Sequence, residues 1–401
     1  MPAFTADYVY PISSPPIRNG VVDMDETGRI RGVYDPASAT YTAPSIAIGA
    51  PPQWHDGILI PGFINAHCHL ELSHLRGRSA TGKTLLPFLV DVVTLREVDQ
   101  AEIDQAIAEQ DRQMWERGIQ AVGDICNKVD TAAVKRSSPI TYYSFMEMFD
   151  FLQPERARAS YDMYVPAYTA QPEPKSAVPH APYTVSDGLY YLINQLNTGS
   201  ETVSIHNQET PAEDLLFETG GGPFAEFFAG FGASLEHFHA PGTPSIFHAL
   251  QRMDPRKRTL FVHNTLTTEE AILAAQAWGE NGVYWATCPN ANLYIENRLP
   301  RYERFLNTGA KVCVGTDSLT SNWQLDILEE LRTIARYQSY VPFDELLRWA
   351  TLNGAEALQL DHRMGSLEVG KQPGVLLMRD LEGQRPEHFR IGARTQVQRL
   401  V

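Results

Sequence analysis

Residues 58–77 read ILIPGFINAHCHLELSHLRG, an apolar run that ends in His67-Cys68-His69. Side chains alternate along an extended strand, so both imidazoles leave the strand end on one side. Two neutral imidazoles at this spacing can reach one divalent ion with little backbone distortion. Two ligands do not complete a site. Three later segments share the design of a short β-rich run closed by a ligand-type residue: TVSIH at His206, TLFVH at His263 and KVCVGTD at Asp317. One ligand at each strand's C-terminal end is what a barrel of parallel strands needs, because its active site occupies that face. A lone histidine ending an apolar run is ordinarily a hydrogen-bonded core or turn residue. Four such endings in one chain are much harder to explain that way.

Between the two chain ends, strand patterns alternate with helix patterns, as a β/α architecture requires. Strands are expected near 60–67, 119–125, 140–147, 175–180, 202–206, 259–263, 282–287 and 311–316. Helices are expected over 101–117 and 325–337, and Thr267-Thr268-Glu269-Glu270 resembles a capping box ahead of residues 271–274. Residues 1–57 carry short strand signals at 8–12 and 20–23. After about 360, a turn-rich strand pair is expected at 365–371 and a strand at 374–378, with a charged, partly unpacked tail beyond Asp380. Residues 219–223 and the region 230–247 interrupt the alternation after the fifth strand and are expected to shape a pocket. Gly220-Gly221-Gly222 within them lacks the Lys-Ser/Thr pair of a phosphate loop and reads as a flexible connection.

A chain of 401 residues, 43% of them hydrophobic, exceeds the about 250 of a typical barrel and leaves material for a second unit. The 33 Lys and Arg against 48 Asp and Glu, a net charge of −15, disfavour nucleic acid as a partner. No stretch approaches the ~18 apolar residues that span a bilayer, and the N-terminus lacks the basic segment and apolar core of a secretion signal. Neither membrane nor export is expected. Cys68, Cys126, Cys288 and Cys313 form no CxxC pair and lie in or beside apolar runs, which suits a reduced, cytoplasmic location. A homodimer is the default for a soluble enzyme.

PGFINAHCHL (61–70), PHAPYTVS (179–186), HNQE (206–209), HN (263–264) and GTDS (315–318), in this order, resemble the amidohydrolase superfamily. The match is closest to the branch that deaminates aminated heterocycles, with cytosine, guanine and S-adenosylhomocysteine deaminases and the triazine hydrolases. It spans nearly the whole chain. The resemblance implies a (β/α)8 TIM barrel over residues 58–359, flanked by a small β-sandwich formed from 1–57 and 360–401. It also implies one divalent metal ion, zinc or alternatively iron, held by His67, His69, His206 and Asp317, with hydroxide on that ion as nucleophile. Glu209 would be the proton shuttle, His263 would sit beside the water, and Asp317 would be both ligand and acceptor of the water's second proton. Many superfamily members hold two metals bridged by a carbamylated lysine at the fourth strand's end. Here that end is Val178-Pro179-His180, with Lys175 the only lysine nearby, so one metal is expected.

Deamination of a ring C–NH₂ requires protonating a ring nitrogen, adding hydroxide to carbon and delivering a proton to ammonia, and one positioned carboxylate can make both deliveries. The expected function is therefore hydrolytic deamination of a small-molecule aminated heterocycle: an aminopurine, a pterin or an adenosine-like nucleoside such as S-adenosylhomocysteine or aminofutalosine. The alternatives are a hydrolase acting on a chlorinated ring or cyclic amide, and a non-catalytic binding barrel. Glu209 argues against chloride, which leaves without protonation. For the substrate, His180 either reaches a ribose or polar tail or is a structural histidine held by Tyr183 or Ser186. Glu71, His74 and Asn292 are further candidate substrate contacts, with Asn290 beside them. Solvated loop residues and turn chemistry are the ordinary alternatives. Ser318 and Asn322 could orient Asp317. His237 and His239 repeat the HxH spacing without a strand to aim them, and read as surface or rim residues.

Overall fold

The structure, a computed structural model, describes residues 3–38 and 51–401. The first strands are β1 (Ala3–Val9), β2 (Ile17–Arg18), β3 (Val21–Met24), β4 (Ile30–Tyr34) and β5 (Gln53–Pro61). Then come β6 (Phe63–Cys68), β7 (Ile119–Cys126), β8 (Thr141–Met148), β9 (Lys175–Pro179), β10 (Thr202–Asn207), β11 (Arg258–His263), β12 (Val283–Thr287) and β13 (Lys311–Val314). Near the end lie β14 (Val375–Arg379) and β15 (Gln396–Arg399).

Strands from both chain ends share one seven-stranded mixed sheet, ordered β15-β14-β5-β1-β3-β4 with β2 on β1. The two-residue alternation of β5 decides what it packs against. Leu59 joins Phe4, Val22, Met24 and Leu377 in the sheet's own core, whereas Ile58 and Ile60 turn into the main core beside Leu376 and Met378. This sheet is therefore buried on both faces where it meets the rest of the molecule. The chain passes directly from β5 to β6 at Gly62, where a Cβ would lie 2.1 Å from Gln120 Cγ and 2.6 Å from the Pro373 carbonyl oxygen. Only glycine permits that approach. β5 itself runs past residue 57, so the sheet reaches beyond the boundary expected from sequence.

β6 to β9 form a four-stranded parallel sheet and β10 to β13 another. Strands such as β12, buried at every residue, read as nearly continuous apolar runs because both faces are covered. The two sheets meet at both seams. The His206 amide donates to the His180 carbonyl at 2.9 Å, and the Thr316 and Asp317 amides donate to the His67 carbonyl at 2.9 and 3.1 Å. The helix Gln100–Glu116 buries Ile103, Ile107 and Met114 on one stripe, and Asp99 caps it by accepting from the Ala101 amide at 2.8 Å. Thr268 caps the helix Glu269–Trp278 through the Ala271 amide at 3.2 Å. With alanine at that third position, only the threonine half of a capping box forms.

Three local expectations are corrected. Residues 365–371 form turns instead of a strand pair. The tail beyond Asp380 is packed, because Phe389 and Ile391 are buried and β15 pairs with β14. The triple glycine is a helix stop: Gly220 ends the helix Pro211–Thr219 in the left-handed conformation at φ 72°. The helix Phe224–Gly230 follows and buries Phe224 and Phe228 against Leu85, Tyr183 and Phe217. At about 1.5–3 kcal/mol for each fully buried large apolar side chain, this second core anchors the insertion. No helix of the described residues is long and apolar enough to cross a membrane.

Candidate active site

The ends of β6, β10 and β11 and the turn after β13 bring His67, His69, His206, His263 and Asp317 together. His69 Nε2 lies 3.4 Å from His206 Nε2 and 3.3 Å from Asp317 Oδ1, and His67 Nε2 lies 3.6 Å from the same oxygen. The donor atoms of His67, His69 and His206 all fall within 4.8 Å of one another, as do those of His67, His263 and Asp317. His67 is fully buried, and neither ring nitrogen makes a hydrogen bond. An unpaired buried polar atom is costly. A divalent cation beside the Asp317 carboxylate would satisfy Nε2, the ring nitrogen that faces it, so the residues fit such an ion.

Hydrogen bonds fix the rings for that task. His206 Nδ1 faces the His180 carbonyl at 2.9 Å; a carbonyl only accepts, so Nδ1 carries the proton and Nε2 is left free for a ligand. His263 Nδ1 meets Asn292 Oδ1 at 2.8 Å, and its Nε2 lies 3.6 Å from Glu209 Oε2. The Ser321 hydroxyl donates to Asp317 Oδ2 at 2.6 Å. Burial lowers the pKa of all four imidazoles, that of His69 to about 3, which keeps them in the neutral form that ligates cations. Burial acts on Asp317 in the opposite sense, but the His67 contact and the other imidazoles outweigh it and hold the carboxyl well below the usual range. Glu209 has no such compensation. Burial first, and then the Asp317 charge, pushes its carboxyl well up.

Over the cluster opens a cleft of about 910 Å³, including space open to solvent, with apolar walls from Leu85, Phe88, Phe149, Phe227 and Ile295. His180 lines it, with Nδ1 2.7 Å from the Thr184 hydroxyl and its ring 5.9 Å from that of Tyr183. Glu71 lines it too, but its carboxylate is committed to Arg96 and to the amides of Asn127 and Lys128. His74 does not line the cleft; its Nε2 is 3.0 Å from the Arg96 carbonyl. Asn292 lies behind His263 and orients that ring instead of facing the cleft. Asn290 is bound to Glu330 and Thr333. Ser318 bonds the Ser321 hydroxyl, and Asn322 bonds the Thr316 carbonyl and Glu330, so Ser321 is the residue that touches Asp317. His237 and His239 are exposed and outside the cleft.

Sequence reasoning missed Glu147. It ends the apolar run Phe145-Met146 on β8 and is therefore a fifth strand closed by a ligand-type residue. Its Oε1 is 3.9 Å from His180 Nε2, its Oε2 is buried without a partner, and burial, followed by the nearby Glu71, pushes its carboxyl up to about 8. Arg96 was missed as well, because nothing in a helix-to-loop junction marks an arginine as facing a cleft.

Comparison with known proteins finds relatives over most of the chain. The 5-methylthioadenosine/S-adenosylhomocysteine deaminase of Moorella thermoacetica is 27% identical over 396 residues, covering 92% of this chain and 83% of that protein. The crystal structure of Helicobacter pylori aminofutalosine deaminase in complex with methylthio-coformycin superposes with a TM-score of 0.77 at 22% identity, covering 100% of both chains. An adenosine deaminase from Xanthomonas campestris with bound zinc gives 0.68 at 24% identity, over 94% of this chain and 84% of that one. These two structures share the fold. The amidohydrolase family model matches residues 58–385, and the chain belongs to the amidohydrolase family.

Proposed function

We propose that this protein is a metal-dependent hydrolytic deaminase of an adenosine-like nucleoside, releasing ammonia. The observation that carries the reading is Glu209, a buried carboxyl with a raised pKa, 3.6 Å from His263 and beside the His/Asp cluster. A buried carboxyl at that place can carry a proton from the attacking water to a leaving group that must be protonated. Ammonia is such a group and chloride is not. Substrate class rests on the Moorella relative named for adenosine-type nucleosides and on the largely apolar walls of the cleft.

The ligands would be His67, His69, His206 and Asp317 around one ion, zinc in preference to iron, since nitrogen and carboxylate donors suit zinc. When bound, the ion supplies Lewis acidity that brings the pKa of a water toward neutrality. Glu209 donates its proton to the ring nitrogen next to the C–NH₂ carbon. Its carboxylate then takes a proton from the attacking water and delivers it to the departing nitrogen. The balance is substrate C–NH₂ plus water giving C=O, a ring N–H and ammonia. His263, with Nδ1–H held by Asn292, orients the water, and Asp317 accepts its second proton, which replaces the one Glu209 gave to the ring nitrogen once ammonia leaves. Glu147 and His180 form a polar corner for a donor group on the substrate.

The division into a closed (β/α)8 barrel at 58–359 and a small β-sandwich from 1–57 and 360–401 belongs to the same proposal. Hydrogen bonds across both seams support closure, and the separate core of the seven-stranded sheet supports a second unit.

The test is ammonia release from metal-replete protein given adenosine, 5′-methylthioadenosine, S-adenosylhomocysteine, free aminopurines, pterins and a chlorinated triazine. Ammonia from one or more of the nucleosides is expected. Chloride from the triazine with no ammonia from any nucleoside would overturn the reading.

A further inference from the structure

We infer that Glu213 and Thr265 are positioning residues that hold Glu209 from behind; the inference rests on the proposed role of Glu209. Between His206 at the end of β10 and the helix Pro211–Thr219, the chain must turn within a few residues so that both His206 and Glu209 face the cleft. It does so through Gln208, which is left-handed at φ 47°. A non-glycine residue there costs on the order of 1–3 kcal/mol and persists only where its surroundings hold it.

What holds it is a two-sided clamp on the main chain. On one side, the Gln208 amide donates to Glu213 Oε1 at 2.9 Å and the Glu209 amide donates to Glu213 Oε2 at 3.1 Å. The Ser245 hydroxyl donates to Oε1 at 2.6 Å and fixes the carboxyl in turn. On the other side, the Thr265 hydroxyl lies 2.8 Å from the Gln208 carbonyl and 2.7 Å from that of Glu209, sharing its proton between them. Thr265 follows the left-handed pair His263-Asn264, at φ 70° and 60°, so one hydroxyl ties the Glu209 loop to the His263 loop. The hydrogen bonds that Glu209 makes are to its main chain. Its carboxyl therefore points into the cleft because its backbone is fixed, with no side-chain hydrogen bond among the described residues steering it.

Glu213 is fully buried and does not line the cleft. It sits at the third position of its helix, where a capping-box glutamate bonds the N-cap amide. Here it reaches further back, to the two residues before the cap. Neither Glu213 nor Thr265 is in reach of a substrate, and both act through Glu209.

The experiment compares wild type, Glu213→Gln, Thr265→Val, Thr265→Ser and Glu209→Gln, with Glu213→Gln also combined with Glu209→Gln, each assayed with its metal content measured. Glu213→Gln sets an amide donor against one of the two backbone donors. It is expected to lower kcat about 10- to 100-fold with KM within about threefold, the loss that a displacement of about 1 Å produces. Thr265→Val should follow it, and Thr265→Ser, which keeps the hydroxyl, should recover most of the rate. In the Glu209→Gln background, Glu213→Gln should add less than about twofold. Independent multiplication of the two losses, or a Thr265→Val enzyme as fast as wild type, would overturn the inference. Hydrogen exchange of the peptide over 207–213 gives a readout that needs no turnover: protection of the Gln208 and Glu209 amides should drop at least tenfold in Glu213→Gln. If wild type proves inactive on every nucleoside and protection still drops, the clamp stands and the functional reading falls. Unchanged protection removes the clamp whatever the activity.

Discussion

Lys135→Met tests what supports the loop that carries the histidine pair. Lys135 Nζ lies 2.7 Å from Asp124 Oδ2, with both side chains fully buried. Asp124 Oδ1 accepts from the Leu70 amide at 2.8 Å, one residue beyond His69, so the ion pair sits directly under the candidate ligands. The ammonium also reaches Ser144 Oγ, Gln171 Oε1 and Cys126 Sγ, so it is held on several sides. Burial pushes the Asp124 carboxyl up, and Lys135 offsets this only in part. Removing the ammonium leaves a buried carboxyl without a counter-charge, and breaking such a pair costs about 3–5 kcal/mol. With both side chains fully buried, a loss of about 3–5 kcal/mol is expected, against a total stability of about 5–15 kcal/mol. An exposed pair such as Lys128–Glu97 would cost at most about 1 kcal/mol. Combining Lys135→Met with Asp124→Asn removes both charges while an amide oxygen still accepts from Leu70, and more than half the loss should return. The assay is equilibrium urea unfolding at pH 7.5 with metal in excess, together with metal content after dialysis. A Lys135→Met protein within about 1 kcal/mol of wild type would refute the reasoning. A double variant no more stable than the single one would also refute it.

Glu209→Gln should keep its metal yet lose at least about 10²-fold in kcat, since positioned acid-base catalysis supplies about 10²–10⁴-fold; metal analysis and ammonia release check this together. Asn292→Ala frees the His263 ring and should lower kcat about tenfold with KM nearly unchanged, measured by steady-state kinetics. Removing metal with a chelator should abolish turnover and lower stability by about 2.7 kcal/mol relative to protein at 100 times the dissociation constant, read by urea unfolding with and without zinc. Glu330, buried under Asn290 and Asn322, has its carboxyl pushed from 4.5 up to about 8 by burial. The folded state thus keeps a proton that the unfolded chain releases, so stability falls as pH rises from 4.5 to about 8 and levels off above. Unfolding measured at pH 5 and pH 9 should show Glu330→Gln losing a few kcal/mol less than wild type across that span.

How much of this was legible in the sequence follows from which signals are local. The eight central strands fall within a few residues of their expected positions because each is a short apolar run bounded by turn residues, and burial on both faces makes such runs continuous. His67, His69, His206, His263 and Asp317 were legible for the same reason, since each closes one of those runs. Glu147 obeys the same rule and was missed only because glutamate at a strand end also reads as solvated charge; nothing local reveals that its oxygen is enclosed. Ser321 differs in kind. Ser318 and Asn322 are as close to Asp317 in sequence, and only the turn after β13 decides which of the three hydroxyl or amide groups meets the carboxylate. The packed tail and the phenylalanine core of the insertion depend in part on distant residues, Tyr8 against Phe389 and Leu85 in one cluster with Phe224, which no window of the chain contains. His74 and Asn292 mark the boundary between the two kinds of signal. Their residue types suggest substrate contacts, but the Arg96 carbonyl takes one and the His263 imidazole takes the other, so neither faces the cleft. A candidate ligand set can therefore be read from strand endings, because the backbone aims those side chains, whereas the groups that hold the candidate ligands are chosen by tertiary packing and become visible only in three dimensions.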